Sequence, residues 1–137
     1  MANRKTAEAA HNPHSDPVAA ATHIFAGNIV ALDALGNAVP GTAVAGLVAR
    51  GVSFEEVDNT TGLAGDKHIQ TRSGVFLFDN AAADAITQAD VGAFAYISTP
   101  TEVCKTAAGK SVAGIVTELI DTQVAVKIEV WPFPVSV

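Results

Sequence analysis

Over residues 122–130 the chain alternates strictly: Val124, Val126, Ile128 and Val130 are interleaved with Ala125, Lys127 and Glu129. A period of two places the branched apolar side chains on one face of a pleated sheet and the charges on the other. Such a strand belongs in an antiparallel sheet with one wet face, and no helix can use the pattern. The run Val75-Phe76-Leu77-Phe78 is apolar on both faces and reads as a more buried strand, closed by Asp79-Asn80. Further strands are expected over 28–32, 44–49, 52–57, 68–72, 93–98, 102–105 and 112–119. Gly36-Asn37, Pro40-Gly41, Thr61-Gly62, Ala64-Gly65 and Ala108-Gly109 punctuate them as turns. Many short strands with frequent turns predict an all-β fold, a small β-barrel or β-sandwich. One short helix is expected over 80–90, capped by Asn80 and favoured by its alanines.

With 137 residues the chain has room for one domain and a real core. Residues 1–22 differ from the rest, with Asn12-Pro13, Asp16-Pro17, alanine clusters and no run of large apolar residues. Each proline turns its predecessor away from helix, so this segment reads as an extended N-terminal arm. Residues 23–130 are then the β domain. Residues 131–137 form an extended tail, where Trp131-Pro132-Phe133-Pro134-Val135 ends the last strand because proline cannot donate to a ladder. Two aromatics on a stiff, chargeless segment suit an anchor on a partner, or a cover over an open barrel end. The candidate contact residues are Arg4, His11, His14, Val18 and His23 in and beside the arm, with Trp131, Phe133 and Val135 in the tail. One echo stands out: Val44-Ala45-Gly46-Leu47-Val48 returns as Val112-Ala113-Gly114-Ile115-Val116. Either two similar halves build one barrel, or small residues match by chance in an alanine- and valine-rich chain.

Apolar residues make up 49 % of the chain and charged residues only 16 %, so a small body dressed by few charges is expected to meet another protein surface. The net charge is −6, and the eight cations are scattered. Phosphate backbones demand clustered cations, so no nucleic-acid partner is expected. The stretches 17–32 and 34–49 carry no formal charge but are too short and too polar for a membrane span, and no continuous apolar core follows Arg4 and Lys5 as a signal peptide would require. The lone Cys104 precludes an intramolecular disulfide framework and reads as a small buried hydrophobe. His11, His14, Asp16 and His23 have ligand-like spacing, but an extended arm cannot hold tetrahedral geometry, so no metal and no cofactor are expected. Glu55 and Glu56 point to opposite faces of a strand and cannot share a general acid/base site. A nucleophile elbow, a phosphate-cradling loop and a dinucleotide fingerprint are all absent, and no catalytic residue is expected.

Ile86-Thr87-Gln88-Ala89-Asp90-Val91-Gly92 followed by Phe94-Ala95-Tyr96-Ile97, then the polar stretch 99–110 and Ser111-Val112-Ala113-Gly114-Ile115-Val116, resembles the small head decoration (capsid cement) proteins of tailed bacteriophages. The closing valine-rich strand fits that pattern, and Ala26-Gly27-Asn28-Ile29-Val30-Ala31-Leu32 with residues 44–48 fits its opening strands more loosely. The resemblance spans most of 24–130; the arm and the Trp-Pro-Phe-Pro tail depart from it. It implies a non-enzymatic structural protein, a homotrimer made in the host cytoplasm and seated on the outer surface of the virion, with the major capsid protein as partner. An acidic protein is repelled by packaged DNA, which agrees with an outer position. Two other readings stand beside it: a phage tail or baseplate adaptor, and a small oligomeric β-barrel enzyme whose inter-subunit site draws together residues such as Asp66, His68 and Arg72.

Overall fold

The computed structural model describes residues 2–3 and 13–129, and its architecture is all-β. In chain order the strands are β1 (His14–Pro17), β2 (Thr22–Ile24), β3 (Ile29–Leu32), β4 (Ala38–Pro40), β5 (Val48–Ser53), β6 (Val57–Asn59), β7 (His68–Arg72), β8 (Gly74–Asn80), β9 (Phe94–Thr99), β10 (Glu102–Cys104), β11 (Val112–Ile120) and β12 (Gln123–Ile128). They form a five-stranded sheet in the order β1-β7-β5-β3-β4, a closed barrel in the order β10-β8-β12-β11-β9, and a β2-β6 ribbon. The first sheet curls until Val18, just past β1, bridges Ala38 of β4 in parallel, so it closes as well.

The two halves are the same object built twice. Matching β1, β7, β5, β3 and β4 to β8, β12, β11, β9 and β10 reproduces the strand order, and both closures, Val18 on Ala38 and β8 on β10, are parallel. Hydrogen bonds repeat too. Gly27 N donates to Ser53 O at 2.7 Å and Gly92 N to Val116 O at 2.8 Å. Ser53 N donates to Asn28 O at 3.1 Å, as Val116 N does to Ala93 O at 2.9 Å. Ala19 N on Ala38 O and Ala81 N on Val103 O are both 3.0 Å. In each half a bulge interrupts the same pairing: one residue is extra between Ala49 and Gly51, and one between Val112 and Gly114.

Gly51 and Gly114 follow these bulges, and both are there for lack of space. A Cβ on Gly51 would lie 2.2 Å from the carbonyl oxygen of Arg72, and one on Gly114 would lie 2.1 Å from that of Lys127. Only a bare Cα lets the neighbouring strand approach so closely. The sequence echo is therefore out of register. The structural mate of Val112–Val116 is Ala49–Ser53, whereas Val44–Leu47 lie in the turn before β5, with Gly46 at φ +88°. Two barrels, rather than one barrel of two halves, are what the repeat builds.

Each barrel has its own apolar core. Val18, Ile24, Val30, Ala38 and Ile69 fill the first. Phe78, Ile86, Ala95, Ile97, Val103, Val116, Val124, Val126 and Ile128 fill the second, joined by Ile29, Ala49 and Val52 from the outside of the first. At about 25 cal/mol per Å² of apolar surface removed from water, this burial is the main stabilising term.

Several expectations change here. The run 75–78, expected to be buried on both faces, is wet on one, since Val75 and Leu77 are exposed. The strands expected over 44–49 and 52–57 are instead β5 and the short β6, with Phe54 in the bend between them. The helix expected over 80–90 is instead two 3-10 turns, Ala82–Asp84 and Gln88–Asp90. Asn80 Nδ2 donates to Ile86 O at 2.9 Å while Ile86 N donates to Asn80 Oδ1 at 2.8 Å, which ties the segment back on itself. Ile86 is thereby pinned into the core at 3 % exposure, an anchor stronger than alanine's helix preference. In addition, part of the segment read as an arm is structural: β1 pairs with β7 from His14↔Thr71 to Pro17↔His68, and Val18 is fully buried. The extended conformation read from the prolines is kept, but it is a paired strand rather than a free arm: β1 accommodates Pro17 at its end, where the chain passes over to β4.

Candidate interaction surface

The strand registers bring the two ends of the continuous stretch 13–129 to one corner. His14 stands opposite Thr71, so the chain entering β1 passes beside Arg72. Ile128 stands opposite Gly74, so the chain leaving β12 passes the start of β8. At this corner Phe54 is 61 % exposed. Its ring lies 5.4 Å below the Arg72 guanidinium, 6.1 Å from the Phe76 ring, which in turn is 6.5 Å from Phe78 inside the barrel. A ladder of three rings thus runs from the surface into the core, capped by a cation–π contact of about 0.5–1 kcal/mol. Beside it lies a cleft of about 200 Å³ lined by Pro13, Phe54, Glu55, Gln70 and Arg72. Glu55 Oε1 accepts from Gln70 N at 2.9 Å, which fixes the cleft wall.

A second opening, about 410 Å³, lies on the outside of the second barrel beside Phe94, Tyr96, Lys105 and Ile115. Register aligns Phe94, Ile115, Lys127 and Val75 in one row across β9, β11, β12 and β8. Phe94 and Val75 remain exposed, as does Leu77 one step along β8. Asp90 at its rim has a carboxyl held below its ordinary range, chiefly by the hydrogen bond from Thr87 N.

The residues singled out from sequence separate into three groups. Arg4, His11, Trp131, Phe133 and Val135 lie outside the described residues. Val18 is core: at 0 % exposure it has no surface for a partner, because the bridge to β4 encloses it. That corrects its reading as a contact residue. His14, half-buried in β1 near the Phe54 corner, and His23 in β2 keep surface. His23 Nε2 lies 2.7 Å from Glu56 Oε2, and its ring stacks on Phe25 at 4.1 Å. Phe54, Val75, Leu77 and Phe94, exposed apolar side chains of expected strands, escaped sequence reasoning because apolar strand residues read as core until the sheet shows which face each takes.

The polar groups hold the fold together. Asp16 and Arg50 pair through two contacts of 2.8 and 3.2 Å, tying β1 to the bulge of β5. Asp16 occupies the position of Phe78 in the second barrel, and Arg50 that of Ala113, so an ion pair stands where the other half packs apolar atoms. Asp84 accepts from the Thr106 hydroxyl at 2.7 Å and from Thr106 N at 2.8 Å. These bonds lower its carboxyl below the ordinary value of 3.8. Burial pushes the Cys104 thiol up, as expected of an unreactive core cysteine. His68 and Arg72 share the exposed face of β7, four residues apart, roughly 13 Å along a strand, and Asp66 is spent accepting from Leu63 N. Within one chain these three do not converge. Among the described residues, no group of three or more His, Cys, Asp or Glu is placed to hold a metal ion, and no helix is long and apolar enough to cross a membrane. No family model, curated protein or solved structure matches this chain.

Proposed function

We propose that this chain is a structural decoration protein of a tailed-phage head, a homotrimer that binds the major capsid protein on the outer surface of the virion and clamps neighbouring subunits together. The carrying observation is the Phe54 corner: an exposed aromatic with a guanidinium over it, backed by a ladder of rings, beside the start of β1 and the end of β12. Rigid aromatic and arginine anchors are the side chains that dominate protein–protein contacts. The exposed row on the second barrel and the −6 net charge support a protein that meets protein rather than nucleic acid.

Cementing needs no bond chemistry. It needs many copies, each adding modest contact energy to several lattice neighbours, so that separating subunits costs the sum. Head preparations lacking the chain, incubated with wild type, with Phe54→Ala, or with a form lacking residues 1–12, test this. Wild type is expected to co-sediment at a fixed ratio to the capsid protein, and both altered forms to bind at least tenfold more weakly. Equal binding by all three would remove the corner from the contact.

A further inference from the structure

Arg72 and Lys127 hold the same place in the two barrels: Val52 pairs with Arg72 as its counterpart Ile115 pairs with Lys127. Lys127 Nζ lies 3.1 Å from Glu129 Oε1, two residues further along the chain. Two residues beyond Arg72 stands Gly74, which has no side chain. At this place the second barrel carries a cation with its carboxylate, and the first carries the cation without one.

Arg72 lies on the exposed face of β7, with its guanidinium 5.4 Å from the centroid of the Phe54 ring. Among the described residues no carboxylate pairs with it, and no acceptor takes its side-chain N–H groups. Two carboxylates of the same barrel are engaged elsewhere. Asp16 is held by Arg50 at 2.8 Å. Glu55 is held because β5 leaves β7 after Ser53, and its carboxylate takes the Gln70 N–H that the ladder abandons, at 2.9 Å. Stacking on Phe54 uses one face of the guanidinium plane and leaves its N–H edge for an acceptor lying in that plane. Beside it, the cleft of about 200 Å³ walled by Pro13 and Phe54 has room for one side chain.

We propose that Arg72, held over Phe54, takes a carboxylate of the partner protein: an aspartate or glutamate side chain that enters the cleft and accepts two hydrogen bonds from the guanidinium edge. Guanidinium meets carboxylate through two parallel bonds, and an arginine already stacked on a ring gives up little conformational freedom in making them. One cation beside Glu55, in a chain of net charge −6, suits a single carboxylate and not a phosphate backbone, which demands clustered cations. The proposal rests on the proposed capsid binding and adds the chemistry of what meets the corner.

Heads lacking the chain, incubated with full-length wild type, Arg72→Gln and Arg72→Lys, test it. Wild-type binding is expected to weaken as salt rises, because an ion pair at the contact is screened. Arg72→Gln is expected to bind roughly tenfold more weakly at low salt and to lose most of that salt dependence. The side chain is exposed, so circular dichroism equal to wild type will certify that the variants fold. Arg72→Lys keeps the charge and places an amine at the cleft. A water-soluble carbodiimide is then expected to join that amine to an aspartate or glutamate of the capsid protein, read by mass spectrometry of the linked peptides. Equal binding and equal salt dependence of wild type and Arg72→Gln overturn the proposal and leave capsid binding standing. A link from position 72 to a carboxylate of this chain, or no link to the capsid protein, overturns it as well. Wild type that does not bind the heads overturns the capsid reading and the proposal with it.

Discussion

Replacing Gly114 by alanine tests the close approach of β11 and β12 on which the second barrel depends. The new Cβ would sit 2.1 Å from the Lys127 carbonyl oxygen. Ordinary carbon–oxygen contact begins near 3.3 Å, so the strands must part by about 1.2 Å. That lengthens the flanking ladder hydrogen bonds beyond useful range. Losing two or three of them, at about 1 kcal/mol each, gives roughly 3 kcal/mol. A chain of this size has an unfolding entropy near 0.29 kcal/mol/K at its midpoint, so the melting temperature should fall by about 10 °C. Differential scanning calorimetry reads this directly. Gly51→Ala meets the Arg72 carbonyl oxygen at 2.2 Å and adds backbone strain at φ +152°, so it should lose at least as much. A drop of less than about 4 °C for Gly114→Ala would refute the close-approach account.

Other expectations follow from the polar contacts. Asp16→Ala leaves the largely buried Arg50 without its carboxylate and should cost about 3 kcal/mol by chemical denaturation. The double variant Asp16→Phe/Arg50→Ala, which copies the Phe78–Ala113 arrangement of the second barrel, should recover most of that loss if the halves are equivalent. Because the Asp84 carboxyl is depressed in the folded state, its contribution is present above the ordinary value of 3.8 and is lost as pH falls through the lower folded value. Thr106→Val removes the largest cause, so carbon-detected NMR titration should show the Asp84 midpoint rise toward the ordinary value. Cys104 should react with a thiol reagent at least a hundredfold faster in denaturant than in the native protein; rapid native labelling would contradict its burial. Deleting residues 1–22 removes β1 and Val18 and should abolish cooperative unfolding.

The strand content was legible wherever one face is wet. The alternation of β12 and the bounds of β7 follow from period-two patterning, and β8, β9 and β11 lie within a residue or two of their expected places. What escaped depends on partners distant in sequence. β1 hides behind Pro13 and Pro17, since its only strand-like property is the pairing that β7 offers. The turns around Ile86 replace a helix because one asparagine reaches across the loop. The duplication is nearly silent in sequence: its halves share Gly27 with Gly92, where a positive φ favours glycine, and Gly51 with Gly114, where a neighbouring strand leaves no room for a Cβ, while Asp16–Arg50 and Phe78–Ala113 solve the same packing problem with unrelated side chains. Topology survives such exchange, because hydrogen-bonded backbone and core volume constrain it and side-chain identity does not. The candidate surface was legible only in outline. Composition led to the expectation of apolar surface area; which face carries Phe54 or Phe94 is decided by the sheet.

Calorimetry of phage heads lacking the protein, with and without saturating purified chain, tests the proposed cementing role most directly. The account predicts a capsid transition several degrees higher when the chain is added, with a saturating ratio of bound chain to major capsid protein. A transition that does not move, with the chain left in the supernatant, would contradict it.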